Sequence, residues 1–291
     1  MALQGLFFKL QSVSNDGYVS FKSTSGSVYT EQAENLVKRS ILEHFSDKDA
    51  LKIAQVAKQH DDQIQIDSSN RLIVTFSHYW AWFPFLVAFF IGFLLIAIPI
   101  SPKKIEILGF TQPGGILIFP LTFMVIDILS ELFGYRVVRR VIWSAATVLV
   151  TSSALLYLSL QLTNLVPVNI VDDYQTVFAK LPYLLIINAI CLLAADFTNA
   201  VLFARLKGWM QGQKLWLRSI LSTCSGQIVY TIVWISLFYI EKLGSLQTWQ
   251  FMAENFVFKV GYAAMMIPIT YCVIWLIRRR NFKFSRELAA N

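Results

Sequence analysis

The residues best suited to chemistry are charged or amide side chains set inside long apolar runs. In Phe119-Pro120-Leu121-Thr122-Phe123-Met124-Val125-Ile126-Asp127-Ile128-Leu129-Ser130-Glu131 two carboxylates stand four residues apart, which puts them on one helix face. Acids that close repel each other unless a cation or a donor-rich ligand lies between them. Asp196 and Asn199 are three apart in a later apolar run, and Ser222, Gln227 and Thr231 share another. Lys259 is the single cation well inside such a run. An ionisable side chain at the centre of a membrane helix costs at least ~2.5 kcal/mol on insertion scales, so each of these needs a pairing or a function. Gln227 carries two donors and an acceptor to satisfy, whereas Ser222 can bond back to its own helix. Lys259 is expected to neutralise a buried acid, to touch a ligand, or both. Aromatic rings, Phe123, Trp216 and Tyr230 among them, lie beside these groups in sequence. Acids next to flat rings suit a flat heterocycle with adjacent N–H donors, because a carboxylate accepts two such bonds side by side. The candidate substrate-binding set is Asp127, Glu131, Asp196, Asn199, Gln227, Lys259, Phe123, Tyr230 and Trp216.

Such residues require elements that cross a bilayer. The chain has 291 residues, 56% hydrophobic and 15% charged, with mean hydropathy +0.55. An ordinary soluble domain carries about 25% charged residues. Six spans are expected, since each needs about 20 mainly apolar residues. They are Trp80–Ile100, Ile107–Ile126 (interrupted by Pro113-Gly114-Gly115 and Pro120), Val141–Leu162, Leu181–Ala204, Ser219–Ile240 and Phe251–Ile277. An even count puts both ends on one side. Setting residues 1–79 aside, that side carries 12 Lys/Arg in its loops and tail against 4 on the other, which predicts cytoplasmic termini. The net charge of +7 is therefore read as membrane topology and not as a nucleic-acid surface. Cys191, Cys224 and Cys272 have no metal-site or disulfide spacing and read as small buried hydrophobes.

Residues 1–79 precede any apolar run and read as a small cytoplasmic α+β extension. Gly17–Tyr29 alternates Tyr18 and Ser20 with Val19 and Phe21 in strand fashion, and Glu31–Phe45 shows helical spacing. Ser46-Asp47-Lys48-Asp49 begins a helix, and Ile64/Ile66 with Leu72/Val74/Phe76 form a hairpin about Ser68–Asn70. A unit of this size is marginal alone, so docking on the membrane domain is expected. The fold class is thus an all-α polytopic membrane protein, residues 80–280, preceded by this unit and followed by a basic tail, 281–291.

Four segments carry a family resemblance. They are Phe119-Pro120…Asp127…Glu131…Phe133-Gly134…Arg139-Arg140-Val141-Ile142-Trp143, then Asp196 to Lys207 ending Phe203-x-Arg205-Leu206-Lys207, then Leu215-Trp216-Leu217-Arg218…Ser222-Thr223, and Phe258-Lys259…Pro268. Over about residues 80–280 the chain resembles the VUT (vitamin uptake transporter) family, the queuosine precursor transporters. The resemblance implies six transmembrane helices similar to the substrate-binding subunits of energy-coupling-factor transporters, and import of 7-deazaguanine bases for tRNA queuosine salvage. It implies a multi-pass protein of the bacterial inner membrane, with a small-molecule substrate, no cofactor and no nucleic acid. Residues 1–79 fall outside the family pattern.

Other classes fit less well. No Gly-x-x-x-x-Gly-Lys-Ser/Thr loop occurs, so ATP hydrolysis by that device is not expected, and an energising partner or homo-oligomer stays open. The three histidines, His44, His60 and His78, all precede the first span, which disfavours an intramembrane serine hydrolase. Transport of another flat vitamin-like solute, or a receptor signalling through residues 1–79, are the alternatives.

Overall fold

The computed structural model describes residues 7–14, 16–67, 73–107, 109–162, 175–238 and 246–279. The amino-terminal unit opens with an antiparallel meander of β1 (Phe8–Val13), β2 (Tyr18–Ser23) and β3 (Val28–Gln32). Val19 and Phe21 alternate inward from β2 onto α1 (Ala33–Lys38) and α2 (Asp47–His60). The helical spacing of 31–45 yields only that short α1, followed by a single 3-10 turn at Leu42–His44. Ser46 caps α2 as expected, its Oγ accepting from the Asp49 amide at 3.2 Å. The hairpin forms as β4 (Ile64–Asp67) and β5 (Ile73–Phe76), with Ile66 opposite Val74. Its turn, Ser68–Asn70, lies outside the described residues.

Among the described residues, five helices are long and apolar enough to cross a membrane, counting Gly114–Phe133 as one. The first, α3 (Tyr79–Ile100), turns Leu86, Phe90, Leu94 and Ala97 to the core and much of its other face outward. The second span departs from expectation. Residues 104–113 form a hairpin, β6 (Lys104–Ile107) with β7 (Phe110–Pro113), followed by a 3-10 turn at Gly114–Leu117. Glycine and proline are poor helix formers, so α4 begins only at Phe119 and runs to Phe133. It is the most buried of the five and forms the axis of the bundle. Gly134, at φ +77°, breaks the chain into α5 (Tyr135–Gln161).

The remaining helices are α6 (Leu181–Trp209), α7 (Leu215–Phe238) and α8 (Leu246–Arg279). Each begins or ends beyond the uncharged run that announced it, because the flanking Lys207, Arg218 and Arg278 lie on the helices themselves. The run expected to be the fifth span falls on α7, whose first half carries Arg218, Ser219, Ser222, Thr223 and Gln227. The Asn164–Asn169 loop and the 281–291 tail lie outside the described residues.

The amino-terminal unit docks where α4, α6 and α8 end and α5 and α7 begin. Ser40 Oγ donates to the Glu131 and Leu132 carbonyls at 3.3 and 3.2 Å, and Thr75 Oγ1 reaches the latter at 3.5 Å. These are carbonyls at a helix end, which have no partner within the helix. Glu43 Oε2 accepts from the Tyr135 amide at 2.8 Å, and Arg136 pairs with Asp47 at 2.6 Å.

Candidate functional site

Polar side chains buried among these helices fall into three layers along the bundle. Nearest the amino-terminal unit, Glu131 collects three cations. Its Oε2 is 3.1 Å from both Lys207 Nζ and Arg218 NH1, and its Oε1 is 3.1 Å from Arg278 NH2. Lys207 and Arg218 are 0% exposed. Lys207 also donates to the Glu131 carbonyl at 3.0 Å, and Arg218 donates to the carbonyls of Gln213 and Gly212 at 3.0 and 3.1 Å while lying over the Phe203 ring. Paired charges that also satisfy backbone acceptors are the tolerable form of a buried ion network. This layer ties four helices together. His44 backs it from the amino-terminal unit, packed against Gly208. Burial, reinforced by Lys207 and Arg218, pushes its ring down to about 3, so the ring is neutral and its 3.9 Å approach to Glu43 is a contact and not an ion pair.

One turn deeper, Asp127 has no cation on its oxygens among the described residues. Its Oδ1 accepts from Asn199 Nδ2 at 3.2 Å, and its Oδ2 accepts from the Ser219 hydroxyl. Asp196, 3% exposed, stands one turn before Asn199 on α6. The i, i+3 spacing read from the sequence thus puts Asp196 and Asn199 on one face of α6, with Asn199 bonded to Asp127 of α4, whereas the i, i+4 pair is divided, Glu131 belonging to the cation layer. Gln227 is 1% exposed, yet neither its amide nitrogen nor its oxygen has a hydrogen-bond partner. The Asn199 Oδ1 and Thr231 Oγ1 atoms are unpartnered as well. A close approach of α7 to α6 makes this layer compact. A Cβ on Gly226 would fall 2.9 Å from the Phe123 ring and 3.1 Å from the Ala195 carbonyl.

Toward the end of the bundle far from the amino-terminal unit, a cavity is lined by Phe119, Tyr230, Thr231, Asn255 and Lys259, among others. Tyr230 stacks obliquely on Phe119, 5.4 Å between centroids, and its hydroxyl donates to Asn188 Oδ1 at 2.8 Å. Lys259 lies over the Tyr230 ring at 4.5 Å. Of the two roles the sequence gives it, acid partner and ligand contact, the first is not seen: no carboxylate among the described residues lies within ion-pair distance of it. All three cations that could neutralise an acid at close range have gathered on Glu131.

The nine candidate residues are therefore divided. Asp127, Asp196, Asn199, Gln227 and Phe123 share the middle layer, and Tyr230 and Lys259 share the cavity. Glu131 is already saturated by cations, and the Trp216 ring is 49% exposed on the outside of α7, apart from both. Asn188, Asn255 and Gln112 were missed. Their only signal was an amide inside or beside an apolar run, and Gln112 was hidden by the misplaced second span.

A family model described as "Putative vitamin uptake transporter" matches residues 113–273, more than half of the chain. The match takes in α4 to most of α8 and leaves the amino-terminal unit outside. No curated protein and no solved structure matches the chain.

Proposed function

The chain belongs to the vitamin uptake transporter family, and from that premise we propose that it imports 7-deazaguanine bases, the precursors of tRNA queuosine. Family membership carries the coarser statement: a multi-pass transporter of a small molecule across a lipid bilayer, and not an enzyme. The finer reading is supported above all by Gln227, a fully buried amide with no partner for its donors or its acceptor. Leaving a buried polar group unsatisfied costs about 1–3 kcal/mol, so such a group is retained where a ligand completes it. A guanine-like edge offers adjacent N–H donors for Asp127 and Asp196 and acceptors for an amide. Phe123 and Tyr230 supply the flat walls.

In this reading α7 is a sixth span, the arrangement follows that of energy-coupling-factor substrate-binding subunits, and both termini face the cytoplasm of a bacterium. Lys207, Arg218 and Arg278 are committed to Glu131, but the remaining loop charges still favour that side. The base then enters from the side away from the amino-terminal unit, and the Glu131 layer closes the path to the cytoplasm. The test is uptake of labelled 7-deazaguanine base by cells unable to make queuosine. Expression of the chain restores uptake if the reading holds. Restored transport of unrelated vitamins without any uptake of the base would favour a different flat solute.

A further inference from the structure

Lys259 is 5% exposed, on a helix that otherwise faces largely outward, and its ammonium opens on the cavity without a carboxylate beside it. No Asp or Glu lines that cavity among the described residues. Of the polar groups on its wall, the Tyr230 hydroxyl is spent on Asn188, the Asn255 amide nitrogen on Gln112 Oε1 at 3.0 Å, and the Ser101 hydroxyl on the Ala97 carbonyl. Lys259 is therefore the one charged group on the cavity wall among the described residues, while the layer beneath it holds Asp127 and Asp196. The Tyr230 ring lies under the Lys259 ammonium.

We infer that Lys259 sets the specificity of the transporter by donating to an acceptor oxygen on the substrate ring, so that a 6-oxo base is taken and its 6-amino counterpart refused. This rests on the base-import reading above and adds an orientation to it: the oxygen faces Lys259 and the N–H edge faces the acids. A 6-amino group in the same place would set N–H donors against an ammonium that has no carboxylate beside it among the described residues. Discrimination by an unpaired buried group is stronger than discrimination by fit alone.

The experiment is equilibrium binding to the full chain in lipid nanodiscs, with two probes that differ in the 6-substituent and in the N1 proton, 7-deazaguanine and 7-deaza-2,6-diaminopurine. The parent is expected to prefer the 6-oxo base, with the Lys259 share of that preference about 10- to 150-fold, the worth of a charge-assisted hydrogen bond. Lys259→Met is expected to shrink the ratio by about that factor, leaving the share due to N1 and the acids, and Lys259→Arg to keep the whole ratio. If Lys259→Met does not give folded protein, Lys259→Gln replaces it, with the ratio falling because its amide can accept as well as donate. Equal binding of both bases by the parent, or a preference undiminished in Lys259→Met, overturns the inference and leaves base import standing. Binding of neither base by the parent removes the base-import reading and the inference with it.

Discussion

Replacing Glu131 with Gln takes away the charge on which Lys207, Arg218 and Arg278 converge. Arg278 is 27% exposed at its side chain and can turn to water, so its loss contributes little. Lys207 and Arg218 cannot, being 0% exposed. Removing one partner of a buried ion pair typically costs about 3–5 kcal/mol, because the other charge is left in low dielectric. Both cations keep their backbone carbonyls, so the lower end, about 3 kcal/mol, is expected. The assay is thermal unfolding of purified protein in detergent, alongside limited proteolysis of the amino-terminal unit. Glu131→Gln should lower the midpoint and speed cleavage between the unit and the bundle, since Ser40 bonds the carbonyls of this same helix end. An unchanged midpoint with weakened base binding would refute this reasoning and make Glu131 a ligand contact.

Gln227→Met should stabilise the ligand-free protein while abolishing uptake, since it removes an unsatisfied amide worth about 1–3 kcal/mol; thermal unfolding and transport on the same preparation check both halves. Gly226→Ala should destabilise by about 1–3 kcal/mol and weaken binding, because its Cβ meets the Phe123 ring at 2.9 Å and the Ala195 carbonyl at 3.1 Å; denaturation and base affinity report it. The His44 ring gains a proton near 6.5 when unfolded but only at about 3 when folded, so its contribution to stability falls as pH drops through that window. The parent should lose about 1.4 kcal/mol per pH unit there relative to His44→Gln, measured as the difference in unfolding free energy across pH 4 to 6.

Hydropathy located the membrane helices because an apolar run of span length has few other uses. It failed where backbone chemistry intervened. Phe110–Pro113 is uncharged, yet its pairing with Lys104–Ile107 and the Pro113-Gly114-Gly115 sequence make a hairpin and a 3-10 turn of what reads as a span. Side-chain spacing is legible because helix periodicity is local, and Asn199 does bond Asp127, but Glu131, one turn from Asp127, is turned to cations instead. What the charges do is not legible. Lys207 and Arg218 look like loop cations that set topology, and only the folded bundle carries them 76 and 87 residues across to Glu131. Lys259, read as the neutralising partner, is left over by the same long-range choice.

Uptake of labelled 7-deazaguanine into proteoliposomes containing this chain alone is the most direct measurement of base import through the middle layer. The parent should accumulate label above empty vesicles, with competition by unlabelled base, and the Asp127→Asn/Asp196→Asn double variant should not. Parent vesicles that take up no more than empty ones, or a double variant that matches the parent, would contradict it.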